Sequence, residues 1–495
     1  MSTDHVDVLI VGAGLSGIGA AHRLREISPT STFTILEARD HIGGTWDLFR
    51  YPGIRSDSDM YTLSYPFRPW TNRNSIADGA EIRQYIQDTA EADGVVPHIR
   101  FGHRVTRVSW SSDDARWTVT ATTADGANGP GTVTMTASFV YFCSGYYSYD
   151  TGYTPEFPGL EAFSGTVVHP QFWPEDLDVS GQRVVVIGSG ATAVTLLPSL
   201  ADQTAHITML QRSPTFITSL PQVDPLAGLT QKLLPAGLAH RLNRFRNASV
   251  AVGFYEFCQR FPRLARRILL ARARRAVPEG FDVDTHLNPS YDPWDQRLCV
   301  VPNGDLYRAL RRGKADIVTG HIATFTDGGI ELTDGRHLDA DVVVTATGLQ
   351  LVNFGTAEVE VDGQVLDPHD LYTYKGLMFS GVPNLAWCVG YTNASWTLRA
   401  DLTSQYVARF VEHLRATGRR FGAPHPDGPG GEERPLLDLT SGYVQRVAQQ
   451  MPQQGSSRPW TIRQNWWLDS IDHRRTDLDE AMIWDVAPAK APTAV

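Results

Sequence analysis

The sequence predicts an α/β protein, and the main observation is a pattern that occurs twice. Near the N-terminus, "VDVLIVGAGLSGIGAA" joins a β-type run to a glycine-rich turn and a helical segment. In the middle of the chain, "QRVVVIGSGATAVTLL" repeats the same order. Each copy is followed by a second β-type run, as in a βαβ unit whose turn approaches a dinucleotide pyrophosphate. The predicted fold is therefore two Rossmann-like dinucleotide-binding domains, with a helical insertion in the second.

Length and composition indicate a globular chain with several cores. Its 495 residues are 42% hydrophobic and 20% charged, which excludes collagenous, disordered and membrane-spanning classes. The net charge of -10 argues against nucleic acid as a partner. The four cysteines lie far apart in the sequence, so we expect a cytoplasmic protein without a metal site or a disulfide scaffold. Glycines within the apolar N-terminal run favour a strand and a turn there over a signal peptide.

The first unit has the features of a site for FAD or NAD. GxGxxG falls on Gly12, Gly14 and Gly17, and the second predicted strand, "TFTILE", ends at Glu37. The glycines let the backbone approach a pyrophosphate at the N-terminus of the helix, and an acid at this place accepts hydrogen bonds from ribose hydroxyls. We therefore expect a nucleotide with a free 2'-hydroxyl here.

The second unit differs where the ribose is recognised. GxGxxA falls on Gly188, Gly190 and Ala193. The strand that follows ends in Gln211 and Arg212 rather than in an acid. A guanidinium at this place suits the 2'-phosphate of NADP through charge-assisted hydrogen bonds, and a solvated surface arginine is the alternative. Two unlike nucleotide sites in one chain suggest electron transfer from NADPH to a bound flavin.

Two later apolar runs are expected to close these domains. "SFVYFCSG" and "ADVVVTATG" are typical of buried strands that end in small residues. The predicted FAD-binding domain comprises 1–150 and 383–495, and the predicted NADP-binding domain comprises 155–219 and 313–380. The remaining residues, 220–312, form a mainly helical insertion.

The insertion combines a helical register with a basic stretch. The register falls on Leu238, Leu242, Phe245, Val252 and Tyr255, and "RLARRILLARARR" follows it. We interpret the basic stretch as a solvated helix face, with weak contact to a membrane surface as the alternative. No transmembrane segment is predicted.

Three segments outside the two units carry further candidate residues. "HIGGTWDLFRYPGIRSDSDMYTLSYPF" places Gly44 and Trp46 where the chain can pass along a flavin. In the same segment Asp57 is either a helix cap or a buried functional acid. "YDPWDQRLCVVPNGDLYRAL" holds Arg297 in a loop bounded by aromatic residues and prolines, and "FSGTVVHPQFWPE" lies between the two nucleotide units.

This last segment matches the pattern FxGxxxHxxxWP at Phe163, Gly165, His169, Trp173 and Pro174. With a nucleotide unit on either side, the pattern resembles the fingerprint of the Baeyer-Villiger monooxygenases, a class of flavoprotein monooxygenases. "CSGYY", "VIGSGATAVTL", "LQRSPT" and "VGYTNASWTL" are similar to the ethionamide-activating branch of that family. The resemblance covers nearly the whole chain.

The resemblance implies an activity. An enzyme of this family uses FAD, NADPH and O2 to insert one oxygen atom into a ketone, giving an ester or a lactone through a flavin 4a-peroxide. It is also expected to oxidise thioethers to sulfoxides. By the match of "WDQRL" and "YPGIRSD", Arg297 is the expected active-site cation and Asp57 the acid that pairs with it. A cation at this place stabilises the oxyanion of the tetrahedral adduct.

The resemblance also implies which residues contact each cofactor. For FAD the matching residues are Gly12, Gly14, Ser16, Gly17, Glu37, Gly44, Thr45, Trp46, Asp47, Asp57 and Val105. For NADP they are Arg55, Ser56, Asp57, Gly188, Ser189, Gly190, Ala191, Thr192, Ala193, Gln211 and Arg212. Trp396 is expected either in the substrate pocket or in the core.

Three other activities compete with this one. An N- or S-oxygenating flavin-containing monooxygenase shares the nucleotide units but lacks the Trp-Pro ending, and it does not convert ketones. A flavin disulfide reductase needs a redox cysteine pair, and the sequence places no cysteine near another. A redox sensor binds the nucleotides without catalysis.

Within the fingerprint, His169 is interpreted as structural. On this interpretation the segment is a linker that sets how the two cofactors meet, and a catalytic histidine is the alternative.

Overall fold

A computed structural model describes residues 4–126, 129–437, 439–474 and 477–485 of the chain. Residues 1 and 495, the outer bounds of the predicted FAD-binding domain, lie outside the described residues. Within the described residues the α-helices are α1 (Leu15–Ile27), α2 (Thr45–Leu48), α3 (Met60–Leu63), α4 (Gly79–Ala92), α5 (Ala191–Leu200), α6 (Pro225–Leu233), α7 (Ala236–Arg260), α8 (Pro262–Ala276), α9 (Val283–His286), α10 (Asp305–Arg311), α11 (Trp396–Thr417), α12 (Gly442–Gln445) and α13 (Trp466–Arg474).

The larger sheet is built around the first nucleotide unit. Its strands are β1 (His5–Val11), β2 (Phe33–Leu36), β3 (Ile99–Arg100), β4 (His103–Ser111), β5 (Arg116–Gly126), β6 (Gly129–Phe142), β19 (Glu358–Val361), β20 (Gln364–Val365) and β23 (Leu385–Trp387). Five of them form a parallel sheet in the order β3-β2-β1-β6-β23. The long strand β6 also pairs with β5 in an antiparallel arrangement that leads to β4, β19 and β20. The predicted first nucleotide-binding fold is therefore present, with an antiparallel extension.

The second sheet is parallel throughout. Its strands are β8 (Thr166–Val168), β9 (Arg183–Ile187), β10 (His206–Gln211), β13 (Ala315–Thr319) and β17 (Val342–Thr345), in the order β13-β10-β9-β17-β8. The first four strands, β13-β10-β9-β17, have the same topology as β3-β2-β1-β6 of the first sheet. The fifth strand, β8, differs because it precedes the glycine turn in the sequence. The fingerprint, expected to be a linker, thus also supplies an edge strand of this sheet.

Short two- and three-stranded sheets connect the larger ones. They are β7 (Tyr147–Gly152) with β18 (Leu349–Leu351), β11 (Ile217–Leu220) with β12 (Cys299–Pro302), β14 (Ile322–Thr326) with β15 (Gly329–Leu332) and β16 (His337–Asp339), β21 (Thr373–Tyr374) with β22 (Met378–Phe379), β24 (Gly422–Pro424) with β27 (Met482–Trp484), and β25 (Arg434–Pro435) with β26 (Gln453–Gln454).

The connections differ in two places from the sequence prediction. The second domain was expected to extend to residue 380, whereas β19 pairs with β4 and so lies in the first sheet. The predicted helical insertion also contains a strand, β12, which pairs with β11. The chain therefore returns to the second unit before α10, earlier than predicted. The helical register expected around Leu242 lies in the 25-residue helix α7. The other domain boundaries stay a prediction.

Candidate active site

A cavity of about 470 Å³ lies at the carboxyl edge of the first sheet. Parallel strands place their following loops along one edge, and ligands of α/β sheets bind there. Fifteen residues that the sequence singled out line the cavity: Gly12, Gly14, Ser16, Glu37, Gly44, Thr45, Trp46, Arg55, Ser56, Asp57, Val105, Ala191, Thr192, Arg297 and Trp396. Eight others are not among its lining residues: Gly17, Asp47, Gly188, Ser189, Gly190, Ala193, Gln211 and Arg212. The structure thus brings both nucleotide units and Arg297 to one space.

The first glycine turn is shaped by close backbone approach. Gly12 has φ +103°, and a Cβ there would lie 2.8 Å from the carbonyl oxygen of Cys143. A Cβ on Gly17 would lie 1.9 Å from the carbonyl oxygen of Gly12. Gly17 therefore packs the helix onto the turn, whereas Gly12 and Gly14 line the cavity. The positive N-terminal end of the 13-residue helix α1 begins at this turn and favours an anion.

Glu37 immediately follows β2 and is held by backbone groups. Its two carboxylate oxygens accept hydrogen bonds from the amides of Ala13 at 2.6 Å and Arg39 at 2.9 Å. Burial raises the pKa of Glu37, although the amide of Ala13 opposes this shift. The acid is thus fixed beside the glycine turn, with Val105 lining the same cavity.

Asp47 was expected to contact FAD, but its side chain is fully buried among arginines. It forms ion pairs with Arg39 at 2.7 Å, Arg83 at 3.2 Å and Arg50 at 3.3 Å. Burial opposes its ionisation, but the hydrogen bonds and positive charges of Arg39, Arg83 and Arg50 together outweigh burial, and the pKa of Asp47 is lowered. Its position suits a structural role, in which it orients Arg39 toward the cavity wall.

Arg297 is a cation with an unused donor. Its Nε is buried and has no hydrogen-bond partner among the described residues. Tyr146, followed by Tyr443 and Asp57, raises the pKa of Arg297 above its ordinary value, so the guanidinium stays charged. Arg297 also lines a second space of only about 10 Å³, whose other lining residues are mainly apolar and aromatic and include Tyr146, Tyr391, Trp396, Leu437, Leu439 and Tyr443.

Asp57 was expected to be either a helix cap or a buried functional acid. Its side chain is exposed and lines the cavity, so the burial of the second interpretation is absent. Within the described residues no ion pair joins Asp57 to Arg297. Its neighbour Arg55 instead pairs with Asp305 at 2.5 Å, and the Nη2 of Arg55 is buried without a hydrogen-bond partner in the described part of the chain.

The second glycine turn reaches the cavity through the start of its helix. Gly188 has φ +136°, and a Cβ there would lie 2.3 Å from the carbonyl oxygen of Ala346. Gly190 precedes the 10-residue helix α5 and is exposed. The next residues, Ala191 and Thr192, line the cavity. Ser189 lies outside it and hydrogen-bonds Thr215 at 2.9 Å.

Gln211 and Arg212 have opposite environments. Gln211 is buried, and its amide nitrogen donates to the carbonyl of His286 at 2.7 Å and to Thr319 at 2.9 Å. Its Oε1 has no hydrogen-bond partner within the described ranges. Arg212 is exposed, so of the two it is the residue free to meet a phosphate.

Comparison with known proteins identifies the family. Residues 5–224 match the FMO-like family, described as flavin-binding monooxygenase-like. The chain is 51% identical to the FAD-containing monooxygenase EthA of Mycolicibacterium smegmatis, over 97% of this chain and 96% of the relative. It is 50% identical to EthA of Mycobacterium tuberculosis, over 97% of both chains.

The chain belongs to the flavin-binding monooxygenase family. This confirms the resemblance predicted from its motifs. The fold is also that of two solved monooxygenases. An oxidised steroid monooxygenase bound to NADP is 24% identical, with a TM-score of 0.75 over 97% of this chain and 99% of the other. An open cyclohexanone monooxygenase is 23% identical, with a TM-score of 0.70 over 86% and 91%.

In this monooxygenase Trp396 has both of the environments that the sequence left open. Its indole nitrogen donates a hydrogen bond to the hydroxyl of Ser16 at 2.9 Å. Its ring stacks on Tyr146, with centroids 5.1 Å apart and planes inclined by 11°. Trp396 therefore lines the cavity and also joins α11 to the first nucleotide helix.

The fingerprint histidine of the monooxygenase contacts the ribbon that connects the two sheets. The ribbon consists of β7 and β18, in which Leu349 pairs with Gly152. A Cβ on Gly152 would lie 2.0 Å from the ring of His169. The backbone amide of Gln171 donates to Nδ1 of His169 at 3.2 Å, and burial lowers the pKa of the ring. His169 does not line the cavity, which supports its interpretation as structural.

Two cysteines that are distant in sequence are neighbours in the structure. Trp387 of β23 pairs with Phe142 of β6, so Cys388 lies beside Cys143, and their thiols interact. Sequence spacing alone was therefore a poor argument against a redox cysteine pair. Burial raises the pKa of Cys143 well above its ordinary value. The hydrogen bond with Cys143 lowers the pKa of Cys388, so it is the burial of both thiols, which restricts access to a disulfide substrate, that disfavours disulfide exchange.

Several cavity residues were missed by the sequence prediction. After β6 the chain continues as "CSGYYSY", and Ser144, Tyr146, Tyr147 and Tyr149 of this run line the cavity. The quoted motif "CSGYY" contained the signal, since an aromatic run directly after a returning strand lies at the ligand-binding edge of the sheet.

Among the described residues, no helix is long and apolar enough to cross a membrane.

Proposed function

We propose that this monooxygenase uses NADPH and O2 to insert one oxygen atom into ketones, giving esters or lactones, and that it also oxidises sulfides to sulfoxides. The observation that carries the proposal is the cavity, where the first glycine turn, the start of α5 and the unpartnered Nε of Arg297 meet. We further propose that the enzyme works in the cytoplasm, where NADPH is supplied.

The first nucleotide unit fits FAD. A Cβ on Gly44, whose φ is +56°, would lie 3.0 Å from the Cα of Gly14, so glycines on both sides leave the passage open. Glu37 is fixed by two amides and still has lone pairs for ribose hydroxyls. The N-terminus of α1 would hold the pyrophosphate. The aromatic residues Trp46 and Tyr146 would cover the flavin from the cavity wall.

The second unit fits NADPH. Gly190 leaves open space before α5, because a Cβ there would meet no heavy atom within 4 Å. Arg212 is exposed beside this turn, where its guanidinium would bind the 2'-phosphate. Arg55 and Thr192 face the same cavity as the flavin site. The buried, unpartnered Nη2 of Arg55 is a further donor for the nicotinamide half.

FAD bound in this cavity would, once reduced by NADPH, supply the electrons that activate O2. The protein's own contribution is charge and shape. Arg297 places a permanent cation where the ketone oxygen becomes an oxyanion, and a preorganised cation in a cavity of this kind costs no reorganisation during the reaction. Asp57 faces the cavity near this cation and would orient it or the nicotinamide amide.

The side chains around Arg297 favour an apolar substrate. Aromatic and aliphatic side chains, including Tyr391, Leu437 and Tyr443, line a space of only about 10 Å³ next to Arg297, which is too small for a substrate but forms an apolar wall beside the guanidinium. Such walls exclude water from the reacting atoms, and they suit the hydrocarbon part of a ketone or a thioether. The alternative is a flavin-containing monooxygenase that oxidises only nitrogen or sulfur. The position of Arg297 favours ketones, because only the ketone reaction develops an oxyanion on the substrate itself.

A product screen tests the proposal. The purified enzyme with FAD and NADPH would be incubated with linear, cyclic and aryl ketones and with thioethers, and esters, sulfoxides, peroxide and NADPH would be quantified. We expect one ester per NADPH consumed with at least one ketone class, and little peroxide. Sulfoxide without any ester would support the alternative. NADPH consumed only as peroxide would contradict both.

A further inference from the structure

The insertion exposes an unusual number of apolar side chains. Ten of the sixteen exposed large hydrophobic side chains in the described ranges lie between residues 226 and 268: Leu226, Leu229, Leu233, Leu238, Leu242, Phe245, Val250, Phe261, Leu264 and Ile268. Single exposed leucines are ordinary in globular proteins, but a cluster on three consecutive helices marks an interaction surface. Leu233 is 71% exposed and Leu226 is 59% exposed.

Helical spacing places these side chains in outward stripes. On α6 the exposed residues are Leu226, Leu229 and Leu233, at positions i, i+3 and i+7, and Ala227 is buried on the other side. On α8 Leu264 and Ile268 are exposed, one turn apart. We call the exposed residues of α6 to α8 the apolar face.

The same helices carry a strong positive charge. Residues 225–276 contain eleven lysines and arginines and a single acid, Glu256, in a chain whose net charge is -10. Arg241, Arg260, Arg263, Arg267 and Arg275 are exposed. Within the described residues none of these five has a carboxylate partner, whereas most arginines elsewhere do.

We infer that the apolar face docks on the surface of a membrane with anionic lipids. Apolar side chains buried at the headgroup boundary and arginines at anionic headgroups together give interfacial binding. Charge argues against a second copy of this chain, because two equally basic faces would repel each other. The apolar residues argue against nucleic acid, because binding to a phosphate backbone comes mainly from charge neutralisation and would leave these side chains exposed to water. This inference does not depend on the substrate proposed above.

The face is rigidly attached beside the cavity. On the inner side of α7, Arg244 is buried and donates to the carbonyls of Tyr61, Thr62 and Ser64 at 3.1, 2.9 and 2.7 Å. Asn247 donates to Asp59 at 2.9 Å. These residues directly follow the segment of Asp57 that lines the cavity, so a docked enzyme would hold its active site near the lipid, where apolar substrates partition.

Vesicle co-sedimentation of the full-length, FAD-loaded enzyme tests the inference. The probes are vesicles of phosphatidylcholine alone and of phosphatidylcholine mixed with phosphatidylglycerol. We expect binding to the anionic vesicles that weakens with added salt, and much weaker binding to phosphatidylcholine. Lack of binding to both vesicles, or equal binding to both at high salt, would overturn the inference.

Matched variants locate the surface. Arg263→Glu with Arg267→Glu should weaken anionic binding at least about tenfold. Leu229→Gln with Leu233→Gln should weaken it by a similar factor. The control, Arg116→Glu with Arg434→Glu, makes the same change in net charge on exposed arginines elsewhere and should bind within about twofold of the parent.

Two further measurements separate the outcomes. FAD content and NADPH oxidation should be unchanged in all variants, since none of these residues lines the cavity. Sedimentation velocity would report a dimer if the face instead binds a second copy. Self-association that the leucine variants abolish, without vesicle binding, would overturn the membrane assignment.

Discussion

The indole nitrogen of Trp396 donates a hydrogen bond to the hydroxyl of Ser16 at 2.9 Å, and this bond joins the last long helix of the chain to the first. Ser16 lies one residue inside the helix whose N-terminus faces the proposed pyrophosphate site. The contact therefore couples the C-terminal part of the chain to the proposed flavin site.

Trp396→Phe should weaken FAD binding about fivefold, since it removes one partly buried hydrogen bond worth about 1 kcal/mol but keeps an aromatic ring over Tyr146. Ser16→Ala removes the same bond from its other end and should have a similar effect. Flavin fluorescence titration measures both. A change in ketone preference with unchanged FAD affinity would mean that Trp396 acts only on the substrate.

Arg297→Ala should leave flavin reduction by NADPH nearly unchanged and lower ester formation by about 100-fold or more, because the cation acts on charge that develops after hydride transfer. Stopped-flow absorbance separates the two half-reactions. Arg297→Lys keeps the charge without the fork of donors and should retain part of the activity. Normal ester formation in the alanine variant would remove Arg297 from the mechanism.

Arg212→Ala should raise the KM for NADPH about tenfold and leave the KM for NADH nearly unchanged, since one charge-assisted contact to the 2'-phosphate is lost. Arg312→Ala, an exposed arginine outside the cavity, serves as the control. Equal effects on both cofactors would mean that another residue recognises the 2'-phosphate, and Arg55 would be the next to test.

Asp47→Asn should lower the free energy of unfolding at pH 7 by about 3 kcal/mol, because it removes the buried negative charge that pairs with the surrounding arginines. The pKa of Asp47 is lowered in the folded protein, so its ionised form contributes stability above the ordinary carboxyl pKa of about 4. The contribution is lost as the pH falls through the folded pKa.

The difference between Asp47→Asn and the parent should therefore shrink in acid, as measured by urea unfolding at neutral and acidic pH. Asp202→Asn, which breaks an exposed pair with Arg312, is the control and should cost less than about 1 kcal/mol. A difference that does not change with pH would mean that Asp47 is not ionised in the folded protein.

His169→Ala should lower flavin reduction and oxygenation by the same factor, because the ring packs against the ribbon between the two sheets rather than in the cavity. Gly152→Ala disturbs the same contact from the other side and should act likewise. Phe172→Ala, an exposed neighbour in the fingerprint, should be nearly neutral. A loss confined to oxygen transfer would support a catalytic histidine.

The parts of the fold that depend on local sequence could be predicted. Gly12 and Gly188 mark positions where the backbone itself needs glycine, and the predicted turns lie there with positive φ. Helix α7 follows from its apolar spacing. Fifteen of the residues that line the cavity could be inferred from motifs, since loops at the carboxyl edge of a parallel sheet converge.

Other features arise from contacts between distant residues and have no local signal. Asp47 lies in a motif that suggests a cofactor contact, but three arginines from different segments surround it. Cys143 and Cys388 become neighbours only through strand pairing. The burial that one of the two interpretations gave to Asp57 is absent for the same reason, because exposure depends on which segments fold over a loop and not on the loop's own residues.

The edge strand β8 also has a consequence for how the chain is made. It is synthesised before β9, yet it pairs with β17, where Val168 lies opposite Val344. The first sheet likewise waits for Trp387 to pair with Phe142. Neither sheet is complete until the ribosome has passed these late strands, so fragments that end before residue 340 should expose bare strand edges and aggregate during expression.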